Sequence, residues 1–462
     1  MTAPILWTYD DVVSATHGTP NHNHWQAHGV SIDSRTIAPG DLFVALAGPN
    51  HDGHDHVDKA FQAGASAALV HREPSNTNGP WVKVDDTTTG LERLGHASRA
   101  RSTARIVAVT GSVGKTGTKE MLRLSLSDQG PTHATLGNLN NQLGAPLSLA
   151  RMPRDTAYGV FELGMNHSGE LTPLTRMVRP HVAVITTIEM VHSEFFADTA
   201  AIADAKAEIF LGVETGGIAI LPHDSPQYGR LRRQAKDAGI TDVRTFGSHI
   251  ESHARLLDFS LNAESTSVLA LFNDIPISYT LGAVGRHWAH NSLAVLLAVE
   301  ALGGDPLKAA KSLADLTPPK GRGSRFVVDG IHVIDESYNA SPASMTAAIA
   351  ALGAVKGSRR IAVLGDMLEL GKQSPALHAG LSDPLSTWGI DLVFTAGPLM
   401  AELHKILPPS MQGAHAENSD AVIAPLLAAL RPGDVVMIKG SAGSRMSRVV
   451  DALRAKENPG AL

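Results

Sequence analysis

Cysteine is absent from all 462 positions of the chain. This excludes disulfide staples, thiolate metal sites and thiol nucleophiles together, and it fits a reducing compartment. Also missing is any stretch near the ~20 apolar residues that a membrane-spanning helix requires. Positive charge is in no excess: 39 Lys and Arg stand against 45 Asp and Glu, a net charge of −6. That balance argues against a broad nucleic-acid or anionic-membrane surface. The opening MTAPILWTYDD has neither a basic region nor an apolar core of leader length, so no secretory signal is expected. Internal repeats and low-complexity tracts are missing too. The expectation is a cytoplasmic, monomeric protein with no nucleic-acid partner and no direct membrane insertion, linked to a membrane only through its substrate.

What is present is ordinary for a folded chain: 43% hydrophobic and 18% charged residues. The length calls for roughly two to four domains.

The most informative stretch is IVAVTGSVGKTGTKE, residues 106–120. Ile106 to Val109 is an apolar, β-branched run of the kind found in buried strands. Gly111 and Gly114 open a turn, and Met121, Leu122 and Leu126 then recur at helical spacing. Strand, glycine loop and helix form a phosphate cradle, because loop N–H groups and the helix dipole both point at the anion. Lys115 would reach the outer phosphates and the Thr116 hydroxyl would ligate Mg²⁺. Val109 stands where the first glycine of the longer G-x-x-x-x-G-K-[ST] pattern would fall, so T-G-S-V-G-K-T is a shorter variant. It reads as a nucleoside triphosphate site.

Residues 1–84 read as a small α/β unit, with strands in DLFVALAG and SAALVH around a helix in VDKAFQAGA. His51, His54 and His56 lie between them without a matching ligand frame, so a solvated loop is expected there. Strands AYGVFEL, VAVITTI and GIAILP alternate with helices through the middle of the chain, which predicts a largely parallel, doubly wound sheet. Residues 254–281 break the rhythm and read as antiparallel strands, followed by an apolar helix over 288–304. LTPPKGRGSR, residues 316–325, reads as a linker. FVVDGIHVID, RIAVLGD, DLVFTAG and DVVMIKGS then predict strands of a third alternating unit.

Three positions near the loop invite chemical roles. Glu162 ends the strand AYGVFEL, where ligands of such sheets gather; it is either a carboxylate for Mg²⁺ or a surface and capping group. His192 follows the next strand, as a second metal ligand or a structural histidine. Lys206 sits at the apolar boundary of a helix, where a snorkelling surface lysine is the simpler reading. In the third unit, Lys320, Arg322 and Arg325 could carry charge toward phosphates or be solvated linker charges. Asp335 and Asn339 sit in a strand-to-helix loop in which Ser341 caps and Pro342 opens the helix.

Taken together, these segments resemble the Mur ligase family, the ATP-dependent amide-forming enzymes of peptidoglycan precursor synthesis. The T-G-x-x-G-K-T loop is that family's nucleotide signature and is shared with folylpolyglutamate synthetases. SRTIAPGDLFVALAG with DGHDH, GNLNNQLGAP, ELGMNHSGE, GRHWAHNSLA, DESYNASPASM and LGDMLELG look like the members that join D-alanyl-D-alanine to UDP-N-acetylmuramoyl-tripeptide. The D-N-P-R motif of the sister ligase that adds the third amino acid is not seen.

The resemblance implies an α/β chain of three domains: a UDP-sugar-binding domain over 1–84, a central P-loop sheet domain binding ATP over 85–317, and a Rossmann-like domain over 318–462 that closes on ATP and binds D-Ala-D-Ala. It implies ATP and Mg²⁺ as cofactors. Carried over residue by residue, Gly111, Ser112, Val113, Gly114, Lys115, Thr116 and Gly117 hold the phosphates, and Glu162 and His192 ligate metal. Lys206 matches a lysine that is carbamylated in several members and then helps a second Mg²⁺. His287 and Asn291 match residues beside the adenine, and Arg322, Arg325, Asp335 and Asn339 match third-domain contacts to ATP. Ser34, Arg35 and Thr36 fall in the loop for UDP, while Asn140 and Asn141 would face the muramoyl peptide. Competing expectations are the sister ligase, a folylpolyglutamate synthetase, and an ATP-binding scaffold without turnover. Against the folate enzyme stands the UDP-binding type of first domain, and against the scaffold stand the intact Lys115, Thr116, Glu162 and His192.

Overall fold

The computed structural model describes residues 4–48, 51–75, 77–190, 194–355, 357 and 359–456. Three sheets with helices on their faces follow one another along the chain. The first has five strands in the spatial order Thr19–Pro20, Trp81–Lys83, Ala67–Val70, Asp41–Val44 and Gly29–Ser31, parallel except for Thr19–Pro20. The helix Thr87–Arg101, capped by the Asp86 carboxylate on the Thr89 N–H, leads out of it. Its Leu91 and Leu94 share a core with Trp7, Leu69 and Leu147. The Trp7 indole N–H donates to the Ala150 carbonyl at 2.8 Å, tying the first unit to the second.

The second sheet has nine strands. Arg105–Thr110 is an interior strand, third from one edge, hydrogen-bonded in parallel to Tyr158–Glu162 on one side and Val182–Ile185 on the other. Ile106 through Val109 are all buried, as the unbroken apolar run requires of a strand covered on both faces. One face packs against the helices Lys115–Ser127 and Arg286–Ala301, the other against Leu171–Val178 and Thr199–Ala207. The expected antiparallel strands are Ala254–Leu261, Thr266–Phe272 and Ile275–Leu281, and they continue this same sheet beyond Ile218–Pro222 and Asp242–Gly247. Asn273 and Asp274 turn the last hairpin with φ of 48° and 64°, the two-residue geometry that suits strand twist.

The third sheet runs Ser324–Val328, Ile331–Glu336, Asp434–Lys439, Arg359–Gly365, Leu392–Ala396, Gln412–Ala416, parallel after its first strand. FVVDGIHVID is therefore two strands rather than one. Asp329 and Gly330, at φ 50° and 74°, turn the chain between them. Apolar residues on both sides of Asp-Gly read as one run, although that dipeptide is itself a hairpin signal.

The helix Arg286–Ala301 is buried nearly all round, because it packs on the sheet beside the helix that follows the glycine loop and under the helix Pro306–Ser312. Leu297 is fully buried there. Leu297→Ala is expected to cost about 2–5 kcal/mol through lost burial and a residual cavity, seen as a lower urea midpoint by circular dichroism.

Candidate nucleotide and metal site

The glycine loop joins the interior strand Arg105–Thr110 to the helix Lys115–Ser127 at the C-terminal edge of the sheet. Its conformation excludes side chains at two points. Gly111, at φ 150°, lies where a Cβ would come within 1.9 Å of Thr186 Oγ1, and Gly114, at φ 89°, where a Cβ would meet Asn291 Nδ2 at 2.4 Å. Hydroxyls after the neighbouring strand hold the loop in this position. Thr186 Oγ1 donates to the Val113 carbonyl at 2.6 Å, and Thr187 Oγ1 accepts from the Val113 N–H at 3.1 Å. The Ser112 N–H donates to the Thr187 carbonyl at 2.9 Å, and Ser112 Oγ donates to the Glu189 carbonyl at 3.0 Å. The N–H groups of Gly114, Lys115 and Thr116 donate to no described group. They form an open, electropositive helix start.

Parallel pairing sets Glu162 opposite Val109, so its carboxylate reaches the loop. Thr116 Oγ1 donates to Glu162 Oε2 at 2.8 Å in a buried contact, and Asn140 Nδ2 donates to Glu162 Oε1 at 2.8 Å. The carboxylate is 1% exposed and aligned from both sides. Hydroxyl and carboxylate oxygens are the donors a hard cation such as Mg²⁺ takes. Lys119, one turn beyond Lys115, is fully buried and donates from Nζ to the Thr135 carbonyl at 2.9 Å, while pairing with Glu120 at 2.7 Å. It anchors the start of the segment that carries Asn140. Sequence reading passed Lys119 over; its signal is a lysine in the stripe that includes Leu122 and Leu126.

Positive charge converges on this site. Lys115 keeps partial solvent access while protein surrounds it on most sides; Nζ donates to the Gly111 carbonyl at 2.7 Å. Burial lowers its pKa, the Glu162 carboxylate opposes that, and the Arg322 charge adds to it. Lys206, on the helix Thr199–Ala207, is 2% exposed, and no described group pairs with its ammonium. Burial, with the Lys115 charge second, pushes its pKa well below the ordinary lysine range. Arg322 comes from the third unit, its guanidinium 3.8 Å from the centre of the Tyr338 ring. Lys439, at the end of a fully buried strand, donates to the Asn339 carbonyl at 2.9 Å and faces Glu336 at 3.5 Å. It too was missed, although a lysine closing an otherwise apolar strand is a visible signal.

His287 is water-accessible at the same junction; its pKa is lowered by the surrounding protein, with Glu336 opposing and Lys439 reinforcing the shift. Asn291 is buried beneath Gly114.

Other expected site residues lie apart from the loop or are committed elsewhere. Arg325 donates to the Ala263 carbonyl at 2.8 Å, a contact between the third unit and the middle hairpins. The buried Asp335 carboxylate accepts from the Gly321 N–H at 2.9 Å and from Ser337 Oγ at 2.6 Å, so it organises its own loop. Asn339 is exposed, with Oδ1 accepting from the Ala340 N–H. Asn141 turns its Oδ1 to the N–H groups of Leu143 and Gly144. Ser34, Arg35 and Thr36 form an open turn of the first unit, where Arg35 pairs with Asp33 at 2.7 Å. His192 lies outside the described residues. His54 is no solvated loop residue: Asp52 holds its Nδ1 at 2.7 Å, and Nε2 accepts from the His71 N–H at 2.8 Å.

Comparison with known proteins places this geometry. Three family models match in succession: Mur ligase family, catalytic domain over residues 26–104; Mur ligase middle domain over 109–299; and Mur ligase, glutamate ligase domain over 321–442. The UDP-N-acetylmuramoyl-tripeptide–D-alanyl-D-alanine ligase of Rickettsia prowazekii is 34% identical over 97% of this chain and 99% of its own. Among solved structures, MurF from Acinetobacter baumannii is 29% identical, with a TM-score of 0.86 over 98% of this chain and 99% of that one. MurF from Thermotoga maritima, solved in complex with ADP, is 27% identical with a TM-score of 0.78, over 94% of this chain and 98% of that one. A glycine loop, carboxylate and buried lysine at one sheet edge, within three successive matching units, identify the chain as a member of the Mur ligase family.

Proposed function

We propose that the chain joins D-alanyl-D-alanine to UDP-N-acetylmuramoyl-tripeptide at the expense of ATP, giving the pentapeptide precursor of peptidoglycan. The observation that carries this reading is the Thr116–Glu162 pair beside the open amides of the glycine loop, in a chain that matches D-alanyl-D-alanine-adding ligases along its length. The terminal carboxylate of the tripeptide attacks the γ-phosphorus of ATP, the bond to the β-phosphate oxygen breaks, and ADP leaves. The amine of D-Ala-D-Ala then attacks the carbonyl carbon of the acyl phosphate. The tetrahedral intermediate expels phosphate, and the nitrogen releases its proton. Such chemistry asks for positioning and charge neutralisation rather than a covalent protein nucleophile.

In this reading Lys115 leaves its own loop carbonyl for the β- and γ-phosphates, and the unpaired N–H groups of Gly114, Lys115 and Thr116 take phosphate oxygens. Thr116 and Glu162 hold Mg²⁺, which when bound neutralises charge on the phosphates. His192 is the second metal ligand. Asn291 and His287 border the adenine, and Arg322 brings positive charge from the third unit. Arg325, Asp335 and Asn339 complete the third unit's side once it closes, and closure excludes water from the acyl phosphate. The turn at Ser34, Arg35 and Thr36 takes the UDP group, with Asn140 and Asn141 on the side of the peptide. The cytoplasm is where these substrates and a cysteine-free chain coincide.

Lys206 is held ready for carbamylation. Its amine gives up its proton more readily than an ordinary lysine does, so the nitrogen lone pair can attack CO₂ and release a proton. The carbamate would place an anion beside Lys115 and supply oxygens toward a second Mg²⁺.

Phosphate release from ATP should require both the UDP-muramoyl-tripeptide and D-Ala-D-Ala, with a pentapeptide product by mass. Lys115→Ala should lower kcat by about 10²–10³-fold, the scale for removing one charge-stabilising donor. Release of phosphate only with a free amino acid and the dipeptide precursor would point to the sister ligase instead. Gly114→Ala forces a Cβ against Asn291 and should weaken ADP binding about tenfold or more by calorimetry, since a side chain is strained at that φ. Depleting CO₂ from the assay should slow the wild type and bicarbonate should restore it, whereas Lys206→Ala should be slow under both conditions.

A further inference from the structure

The C-terminal edge of the middle sheet holds a second group of ligating side chains, away from the glycine loop. The strand Ile218–Pro222 runs directly into His223 and Asp224, and its parallel neighbour Asp242–Gly247 runs into a turn bearing His249 and Glu251. The Asp224 carboxylate accepts from the N–H groups of Ser248 at 2.6 Å and His249 at 2.8 Å, which pins this turn to the adjacent strand end. The His223 and His249 rings stack with centroids 4.0 Å apart and planes 28° apart.

One ligand atom each from His223, His249 and Glu251 lies within 4.8 Å of the others. His223 Nδ1 is buried with no hydrogen-bond partner, a costly state for a polar atom. His249 Nδ1 accepts only a long 3.2 Å bond from the Glu251 N–H. Among the described residues, that is the one hydrogen bond either ring makes.

A second cluster in the molecule, Asp52, His54 and His71, brings similar groups together. There both His54 nitrogens are already engaged, by Asp52 and by the His71 N–H, and Arg72 pairs with the carboxylate. That cluster satisfies itself, whereas the His223 cluster leaves a buried donor or acceptor open.

We propose that His223, His249 and Glu251 form a binding site for a zinc-class divalent cation, separate from the Mg²⁺ site at the glycine loop. Two imidazoles and one carboxylate suit Zn²⁺, and three protein ligands leave a fourth position for water. Mg²⁺, which prefers oxygen ligands, is poorly matched to it. A bound cation would clamp the 248–251 turn to the end of the adjoining strand. Asp224, the outer partner of that turn, also meets His290 Nε2 at 3.3 Å, and the next residue, Asn291, lies against Gly114. Occupancy of this site thus braces a segment bordering the glycine loop. The inference stands independently of the ligase reaction.

The test is a titration of the full chain with Co²⁺ as the probe, in excess Mg²⁺ with ADP present to fill the loop site, followed by visible absorption. The wild type should bind one Co²⁺ with ligand-field bands of a low-coordinate nitrogen–oxygen site, and Zn²⁺ should displace it. His249 and Glu251 are exposed, so His249→Ala and Glu251→Gln should fold as the wild type does by circular dichroism. Loss of outer-sphere partners alone weakens metal sites about 10–100-fold, so each variant should lose at least about tenfold in Co²⁺ affinity. No such bands in the wild type, or unchanged affinity in either variant, would overturn the proposal.

Discussion

The crowding of basic groups around a single carboxylate is the constraint on which the site depends. Lys115 lies within electrostatic reach of Arg322, Lys206 and Glu162, and the helix N–H groups that donate to no described group add their own positive potential. Like charges held this close in a partly dry cleft repel, and only a rigid frame keeps them there. The sheet supplies that frame. Parallel pairing fixes Glu162 opposite Val109, and the buried run Ile106–Val109 holds the interior strand from both faces. A polyanion is the natural counterpart of such a site, because it relieves the repulsion that the folded chain tolerates without it.

The loop itself is held from outside rather than by its own bonds. Thr186 and Thr187, beyond the end of the neighbouring strand, bind Val113 by its carbonyl and its N–H, while Asn291 and Thr186 occupy the space that side chains on Gly114 and Gly111 would need. This seating leaves the first amides of the helix free to point outward. Lys119 plays the corresponding part beneath, fixing the segment that carries Asn140 and, through it, the orientation of Glu162. The geometry of this candidate site is thus assembled from three strand ends and one buried lysine, with contributions from residues well separated in sequence.

Polar contacts between the described residues join the third unit to the second near the site. Arg325 reaches the Ala263 carbonyl, and the Glu194 N–H donates to the Glu369 carbonyl at 3.3 Å. Asp335 and Asn339 satisfy groups within their own loop.

Local pattern alone determined much of this protein. The alternation of strands and helices, the three α/β units, and the glycine loop between strand and helix were legible, because burial on both faces writes unbroken apolar runs and because Gly111 and Gly114 must be glycines. The hairpin inside FVVDGIHVID was obscured by apolar residues on both sides of Asp329-Gly330. Spacing could offer Glu162 as a ligand and Lys206 only as a surface lysine. Tertiary structure decided that Glu162 meets Thr116, that Lys206 is buried with no partner among the described residues, and that Asp335 is occupied by its own loop. It also decided that His54 is a satisfied structural histidine while His223, on a strand end that sequence reading left unremarked, keeps an open nitrogen. The physical reason is the same in each case: a side chain's pKa and hydrogen-bond state depend on neighbours brought in by the sheet, and those neighbours are far away in the chain.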